Sequence, residues 1–313
     1  MPENPPHDRA VILVNPRARL ARSHAWREEA VGELSRRYAT ELVEPRDARH
    51  TTTLAREAAA EGVAVVVAAG GDGTINAVAQ GLVGTPTALG ILPLGSANDL
   101  AREYGVPNAA WAAARRIADG EPRAIDVVAI GERVFCGVGG LALVARAALA
   151  VTRFKQRSPT TRRLADWLGG HVYRLSATAA LLAPWPLDDS LRIAYRDAVS
   201  GEHHAFETRA AALFVTNHRT LGGGLVLPVR ASATDGVFEI TYVPSRARHS
   251  LMLNFGRLSA GVPIPPGVLV SIPATEATIE TGRDDAFVAD GELLATGRRF
   301  EARVLPKALR LIA

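Results

Sequence analysis

The sequence predicts two domains. The first is an α/β domain over residues 1–130, and the second an antiparallel β-rich domain over 131–302. Three observations support this. At 313 residues the chain exceeds the usual ceiling for a single core. Up to residue 130, apolar runs alternate with helical stretches, as in βα units. Beyond it the alternation gives way to closely spaced short apolar runs between turn residues, the pattern of antiparallel sheet. Residues 303–313, with Pro306 among them, could return to either domain.

In chain order, Ala10 to Val14 reads as a buried strand ending at Asn15-Pro16, and a helix should follow through about Tyr38. Thr40 to Val43 reads as a short strand. Thr51 to Thr53 offer capping hydroxyls to a helix over Leu54 to Glu61. Val63 to Ala69, apolar without alternation, should be a central parallel strand covered on both faces. Strands at Ala88 to Leu92 and Ala124 to Ile130 flank helices ending near Tyr104 and Asp119.

In the second domain, short strands are expected at Arg133 to Val138, Leu191 to Tyr195, Ala211 to Asn217, Val237 to Val243, Val268 to Pro273, Ala277 to Thr281 and Phe287 to Ala289. Helices are expected at about Leu141 to Val151, Trp167 to Leu182 and Arg248 to Ala260. The Arg153 to Arg163 run reads as a solvated loop, and its charge beside Phe154 makes it the candidate for contact with anionic lipid headgroups.

The central strand stops at Gly70-Gly71-Asp72-Gly73-Thr74. Three glycines permit positive φ and close ligand approach, and Thr74 offers an N-cap for a helix through Gly81. A helix N-terminus holds phosphate, and an acid among its amides calls for a mediating cation, so the turn suggests a metal-nucleotide site. The plain alternative is a tight turn in which Asp72 caps the helix. The next strand ends in Pro93-Leu94-Gly95-Ser96-Ala97-Asn98-Asp99, a second loop with glycine and hydroxyl chemistry, and the two loops should line one edge of the sheet. Asp126, in an apolar run, invites a partner because burying an unpaired carboxylate is costly.

Composition narrows the classes. Apolar residues make up 48% and charged residues 22% of the chain, as in ordinary soluble proteins. A net charge of +4 is too mild to argue for nucleic acid and would not repel an anionic membrane. Cys136 is the single cysteine, which excludes an internal disulfide and suits the cytosol. No apolar run reaches membrane-spanning length and the N-terminus carries no apolar signal core, so a lipid substrate would be met by peripheral association.

GGDGTINAVAQGL and LGILPLGSANDLARE resemble the catalytic domain shared by diacylglycerol and sphingosine kinases, in particular bacterial soluble lipid kinases. Asn15-Pro16, Ile125-Asp126, Gly222-Gly223-Gly224 with Leu227-Pro228, Asp235-Gly236 and Asp290-Gly291-Glu292 match further landmarks in register, so the resemblance covers nearly the whole chain. It implies a kinase with a Rossmann-like, three-layer first domain distantly like phosphofructokinases and NAD kinases, a β-sandwich-like second domain, ATP in the cleft, and magnesium. The triphosphate would lie over Gly70, Gly71, Asp72, Gly73 and Thr74. Gly95, Ser96 and Asn98 would stand on the neighbouring loop, and Asn15 and Arg17 would approach from the first strand end. Glu292 would be general base for a lipid primary hydroxyl, diacylglycerol first. Asp72 and Asp126 would order magnesium, and Asp235 would mark a second, structural metal.

Departures from the family pattern are Arg19 at a usual glycine, Ser96 for threonine, Ala77 at a frequent glutamate and Thr234 in place of an acid. Other readings are a sphingoid or ceramide kinase, an NAD kinase, which shares GGDGT, or a catalytically silent nucleotide- or lipid-binding regulator. An edge strand of the first domain could pair across a homodimer.

Overall fold

The computed structural model describes residues 8–21, 23, 25–169, 171–182, 189–222, 225–259 and 262–313. Gly223 and Gly224, named above, lie outside these. The chain forms two compact units, 1–125 with 307–313, and 126–306.

The first unit opens with β1 (Asp8–Val14), α1 (Ala25–Leu34), β2 (Tyr38–Val43), α2 (Ala48–Ala60), β3 (Val65–Gly70), α3 (Asp72–Leu82) and β4 (Ala88–Pro93). It continues through α4 (Asp99–Glu103), α5 (Ala110–Asp119) and the start of β5 (Arg123–Ile130). The strand order β2-β1-β3-β4 is parallel throughout. Both β3 and β4 are buried along their whole length, which requires cover on both faces. The helices supply it in two pairs, α1 with α5 and α2 with α3. Gly81 lets the second pair close up, because a Cβ there would stand 2.7 Å from the Ala55 Cβ.

Two local expectations are corrected, and one left open is closed. Tyr38 begins β2 instead of ending α1. The α2 cap is Asp47, whose side chain accepts from His50 N, while the Thr51 and Thr52 hydroxyls turn back onto the carbonyls of Asp47 and Ala48. The end of the chain joins this unit: Arg310–Ile312 pair in parallel with Ala88–Gly90, after a kink at Lys307 where φ is +53°.

The second unit begins within β5 and contains β6 (Arg133–Phe135), β7 (Val138–Ala142), α6 (Leu143–Arg157), α7 (Pro159–Leu168), α8 (His171–Leu182), β8 (Asp189–Asp197) and β9 (His203–Thr216). After these come β10 (Thr220–Leu221), β11 (Leu225–Val226), β12 (Phe238–Pro244), α9 (Arg248–Ser259), β13 (Val270–Ala289) and β14 (Glu292–Ile312), the last of which ends in the first unit. The strands β12, β9, β7 and β13 pair antiparallel in a closed circuit, β13 returning to β12. Inside lies one apolar core that includes Phe135, Leu213, Phe238, Ile279, Phe287 and Phe300. This is the antiparallel β-rich domain that the loss of βα rhythm predicts, in the sandwich-like form that the resemblance implies.

The short strands expected at 268–289 are one strand. Between Glu280↔Arg299 and Asp285↔Gly297, five steps on β13 answer two on β14, so the polar run read as a break is a bulge. Leu141 belongs to β7, and the Arg153 to Arg163 run is helical, divided between α6 and α7. Ser158 explains the division. Its hydroxyl accepts from Thr161 N, Thr161 Oγ1 accepts from Ser158 N, and Pro159 stands at the first helical position.

Candidate functional site

The ends of β1, β3 and β4 carry the residues that the motifs single out, and direct bonds tie their loops together. Asn15 N donates to Ala69 O at 3.0 Å, and Asn15 Nδ2 to Thr74 Oγ1 at 3.2 Å. Leu94 N donates to Gly70 O at 2.9 Å and Leu20 N to Leu94 O at 3.1 Å. The loop around Asn15 and Arg17 thus shares one edge with both glycine loops. Arg17 and Arg19 are exposed there.

Positive φ is not what these glycines supply. None of Gly70, Gly71 and Gly73 has positive φ. Gly71, not Thr74, is the N-cap, and α3 starts at Asp72. What the turn requires is the absence of side chains. A Cβ on Gly70 would lie 2.2 Å from Thr74 Oγ1, and one on Gly95 2.4 Å from Gly71 Cα, so the two loops touch backbone to backbone. The first N–H groups of α3, at Asp72 and Gly73, belong to the part of a helix that has no intrahelical acceptor and suits an anion.

Asp72 accepts from Leu100 N at 3.2 Å. It therefore caps α4 rather than its own helix. The residue before α4, Asn98, sits in the left-handed region (φ 52°) and makes no side-chain cap. Instead its Oδ1 accepts from Gly95 N at 3.0 Å and its Nδ2 donates to the Pro93 and Gly95 carbonyls. Asn98 holds the shape of its own loop, and Ser96, half-buried, rides on it.

In the second unit the chemistry gathers around Asp126, which is 1% exposed. Its Oδ2 accepts from Gly236 N at 2.7 Å and its backbone N donates to Ala233 O at 2.7 Å. The Asp126 charge reaches Asp235. Desolvation raises the Asp235 pKa above the ordinary carboxylate value, the Val237 N–H opposes this, and the negative Asp126 adds to the rise.

Asp290-Gly291 is the two-residue corner between β13 and β14, with φ values of +49° and +80°. Both are positive, as a type I′ hairpin turn requires. The Asp290 carboxylate accepts from Cys136 N at 2.8 Å and Gly137 N at 3.0 Å. Glu292, the first residue after the turn, is exposed. Desolvation by the surrounding protein raises its pKa, and the Arg133 guanidinium opposes the rise. A carboxyl that is reachable yet raised toward neutrality suits a general base. Arg133 also donates to Leu293 O at 2.8 Å, fixing the strand beside Glu292.

Two buried polar residues of the second unit, Asn217 and His218, were not singled out from sequence. Asn217 closes a strand-like apolar run, so the one available signal was a polar Thr-Asn-His sequence at the end of β9.

A diacylglycerol kinase catalytic domain model matches residues 9–130, and a YegS C-terminal NAD kinase beta sandwich-like domain model matches 165–313. A "Probable lipid kinase YegS-like" from Citrobacter koseri is 30% identical, covering 81% of this chain and 79% of its own length. A second of the same description, from Pseudomonas aeruginosa, is 31% identical, covering 82% and 79%. This chain belongs to the YegS-like lipid kinase family. Among solved structures, a diacylglycerol kinase from Bacillus anthracis str. Sterne has the same fold, with a TM-score of 0.73 at 19% identity over 97% of this chain and 96% of that one. Within the family frame, the two glycine loops and Asp126 fall in the catalytic domain match, and Asn217, Asp235, Asp290 and Glu292 in the YegS C-terminal match. Among the described residues no three of His, Cys, Asp and Glu cluster as a metal centre, and no helix is long and apolar enough to cross a membrane.

Proposed function

We propose that this protein transfers the γ-phosphoryl of ATP to a primary hydroxyl of a lipid, with diacylglycerol as the acceptor and phosphatidate as the product. The observation that carries the reading is Glu292, an exposed carboxyl of raised pKa held beside a rigid hairpin turn in a YegS-like family chain. In this reading the Glu292 carboxylate takes the proton of the lipid hydroxyl as the hydroxyl oxygen bonds to the γ-phosphorus, whose bond to the β–γ bridging oxygen breaks and releases ADP. The loops at 70–74 and 95–98 hold the triphosphate through the first amides of α3.

The donor set suits magnesium, which prefers carboxylate oxygens and retained water. Asp72 would hold the ion that accompanies the nucleotide, and Asp126 with Asp235 would hold another. A bound magnesium would supply charge neutralisation on the phosphates. The Asp126 carboxylate receives the Gly236 N–H at Oδ2.

The lipid would be met at a membrane surface. Trp167 is 78% and Leu164 46% exposed on α7, and Leu253 is 87% exposed on α9. From Leu143 to Leu182 the sequence holds seven basic residues and one acidic residue. Large apolar side chains among cations match an anionic bilayer.

The test is transfer from radiolabelled ATP to diacylglycerol, to sphingoid bases and ceramide, to total lipid extract and to NAD, with the product identified in each. Labelled phosphatidate is the expected outcome. Label on NAD alone, or ATP binding with no transfer to any acceptor, would refute it.

A further inference from the structure

Asn217 is completely buried, and its amide is committed in an unusual way. Nδ2 donates to two main-chain carbonyls, Asp126 O and Cys136 O, each at 2.8 Å, while its backbone N donates to Gly137 O at 2.9 Å. Two acceptors facing one end of the amide fix which atom is nitrogen. Among the described residues, Oδ1 has no partner. A buried acceptor left in that state is costly, so the position is not explained by satisfying the asparagine itself. It is explained by what the other end holds.

That end ties the strand bearing Asp126 to the 136–137 turn. The turn is in its own right the seat of the Asp290 clamp, since Cys136 N and Gly137 N donate to the two Asp290 oxygens. The space there admits only glycine at 137, where a Cβ would meet Asp290 Oδ1 at 2.5 Å and His218 Nε2 at 2.8 Å. Asp290 is the first corner residue of the turn, and Glu292 is the residue the turn delivers. An unbroken line of bonds therefore runs from Asp126 through Asn217, the 136–137 turn and Asp290 to Glu292.

We infer that Asn217 is the positioning residue of the reaction, fixing through the 136–137 turn and the Asp290 clamp where the Glu292 carboxyl stands relative to Asp126. It touches neither substrate nor nucleotide. The inference rests on Glu292 acting as base.

The test is Asn217→Asp, which keeps shape but replaces a two-hydrogen donor by a carboxyl that can serve at most one of the two carbonyls. Displacing the base by a fraction of an ångström to an ångström should lower kcat by about 10²-fold. The KM for ATP should stay within about twofold, because the nucleotide loops belong to the other unit. The limb of the kcat–pH profile that reports Glu292 should move. An intact fold with unchanged kcat and an unmoved limb would overturn the inference.

Should Asn217→Asp fail to fold, Asp290→Asn probes the same line, since asparagine tolerates the left-handed corner but can accept from only one of the two amides. The same kinetic signature supports the inference, and wild-type kcat and pH limb overturn it. Should the wild-type protein phosphorylate no lipid, the proposed function fails separately. The Glu292 carboxyl titration, followed by 13C NMR in wild type and in whichever variant folds, then decides: a shifted midpoint supports the inference and identical midpoints overturn it.

Discussion

The turn after β3 and the turn between β13 and β14 both set an acid beside glycine, yet the glycines are there for opposite reasons. At 70–73 the backbone is ordinary and the space is the constraint: Gly71 and Gly95 touch, and a Cβ on Gly95 would fall 2.4 Å from a main-chain atom. At 290–291 the backbone is the constraint, with φ of +49° and +80°. The acids differ too. Asp72 reaches across to another loop's helix, accepting from Leu100 N, whereas Asp290 folds inward onto Cys136 N and Gly137 N and leaves Glu292 as the exposed group. A glycine-acid motif in sequence thus covers two physical devices, a contact that brings strand ends together and a corner that presents a side chain.

The comparison breaks most sharply at Glu292. Glu292→Gln should lower kcat by about 10²–10⁴-fold, the usual worth of a general base, with ATP binding intact. In the wild type, kcat should rise with pH through the raised Glu292 pKa, since the base must be ionised. Stability has the reverse sign. A carboxyl whose native pKa is raised binds its proton more tightly when folded, so stability falls as pH climbs from the ordinary glutamate value to the raised one. Glutamine carries no such penalty, and at pH 8 the variant should melt no lower than wild type. A large drop in Tm would make Glu292 structural.

Next in size is Gly95→Ala. Overpacking of this kind costs about 1–3 kcal/mol, and here backbone would have to give way, so ATP affinity should fall together with Tm. Gly71→Ala, whose Cβ would stand 3.2 Å from Gly95 Cα, should do less. Gly291→Ala asks a side chain to adopt positive φ, at roughly 1–2 kcal/mol. It should disturb kcat while leaving ATP binding alone, the mirror image of Gly95→Ala. Equal loss of nucleotide affinity in both would erase the distinction between the two turns.

The smallest effect is expected on the helical face of the second unit. Arg153→Gln with Arg157→Gln should weaken sedimentation with phosphatidylglycerol vesicles by roughly 1 kcal/mol per arginine and leave turnover on detergent-dispersed substrate unchanged. Vesicle binding that ignores both arginines and salt would remove the membrane role from α6.

Much of this was legible because one-dimensional patterns carry it. The unbroken apolar run at 63–69 announced a strand covered on both faces, and the glycine loops at 70–74 and 95–98 announced the strand ends that converge. What escaped was set by partners distant in the chain. The run at 281–284 looks like a break because nothing in its polarity reveals that β14 lies opposite and absorbs it as a bulge. The arginine-rich stretch at 153–163 looks like a solvated loop because the packing of α6, α7 and α8 around Val151, Ala165 and Val172 is a tertiary fact. Asn217 looks like the end of a strand because its three main-chain acceptors come from residues 126 to 137.

By itself, then, the sequence determined the two architectures, the change of rhythm between them and the residue types at each turn, since periodicity and turn chemistry are local. The tertiary structure decided which strand the last residues join, which helix Asp72 caps and which amides Asp290 holds. Each of these is a hydrogen bond between residues that sequence separation hides and chain folding brings within about 3 Å.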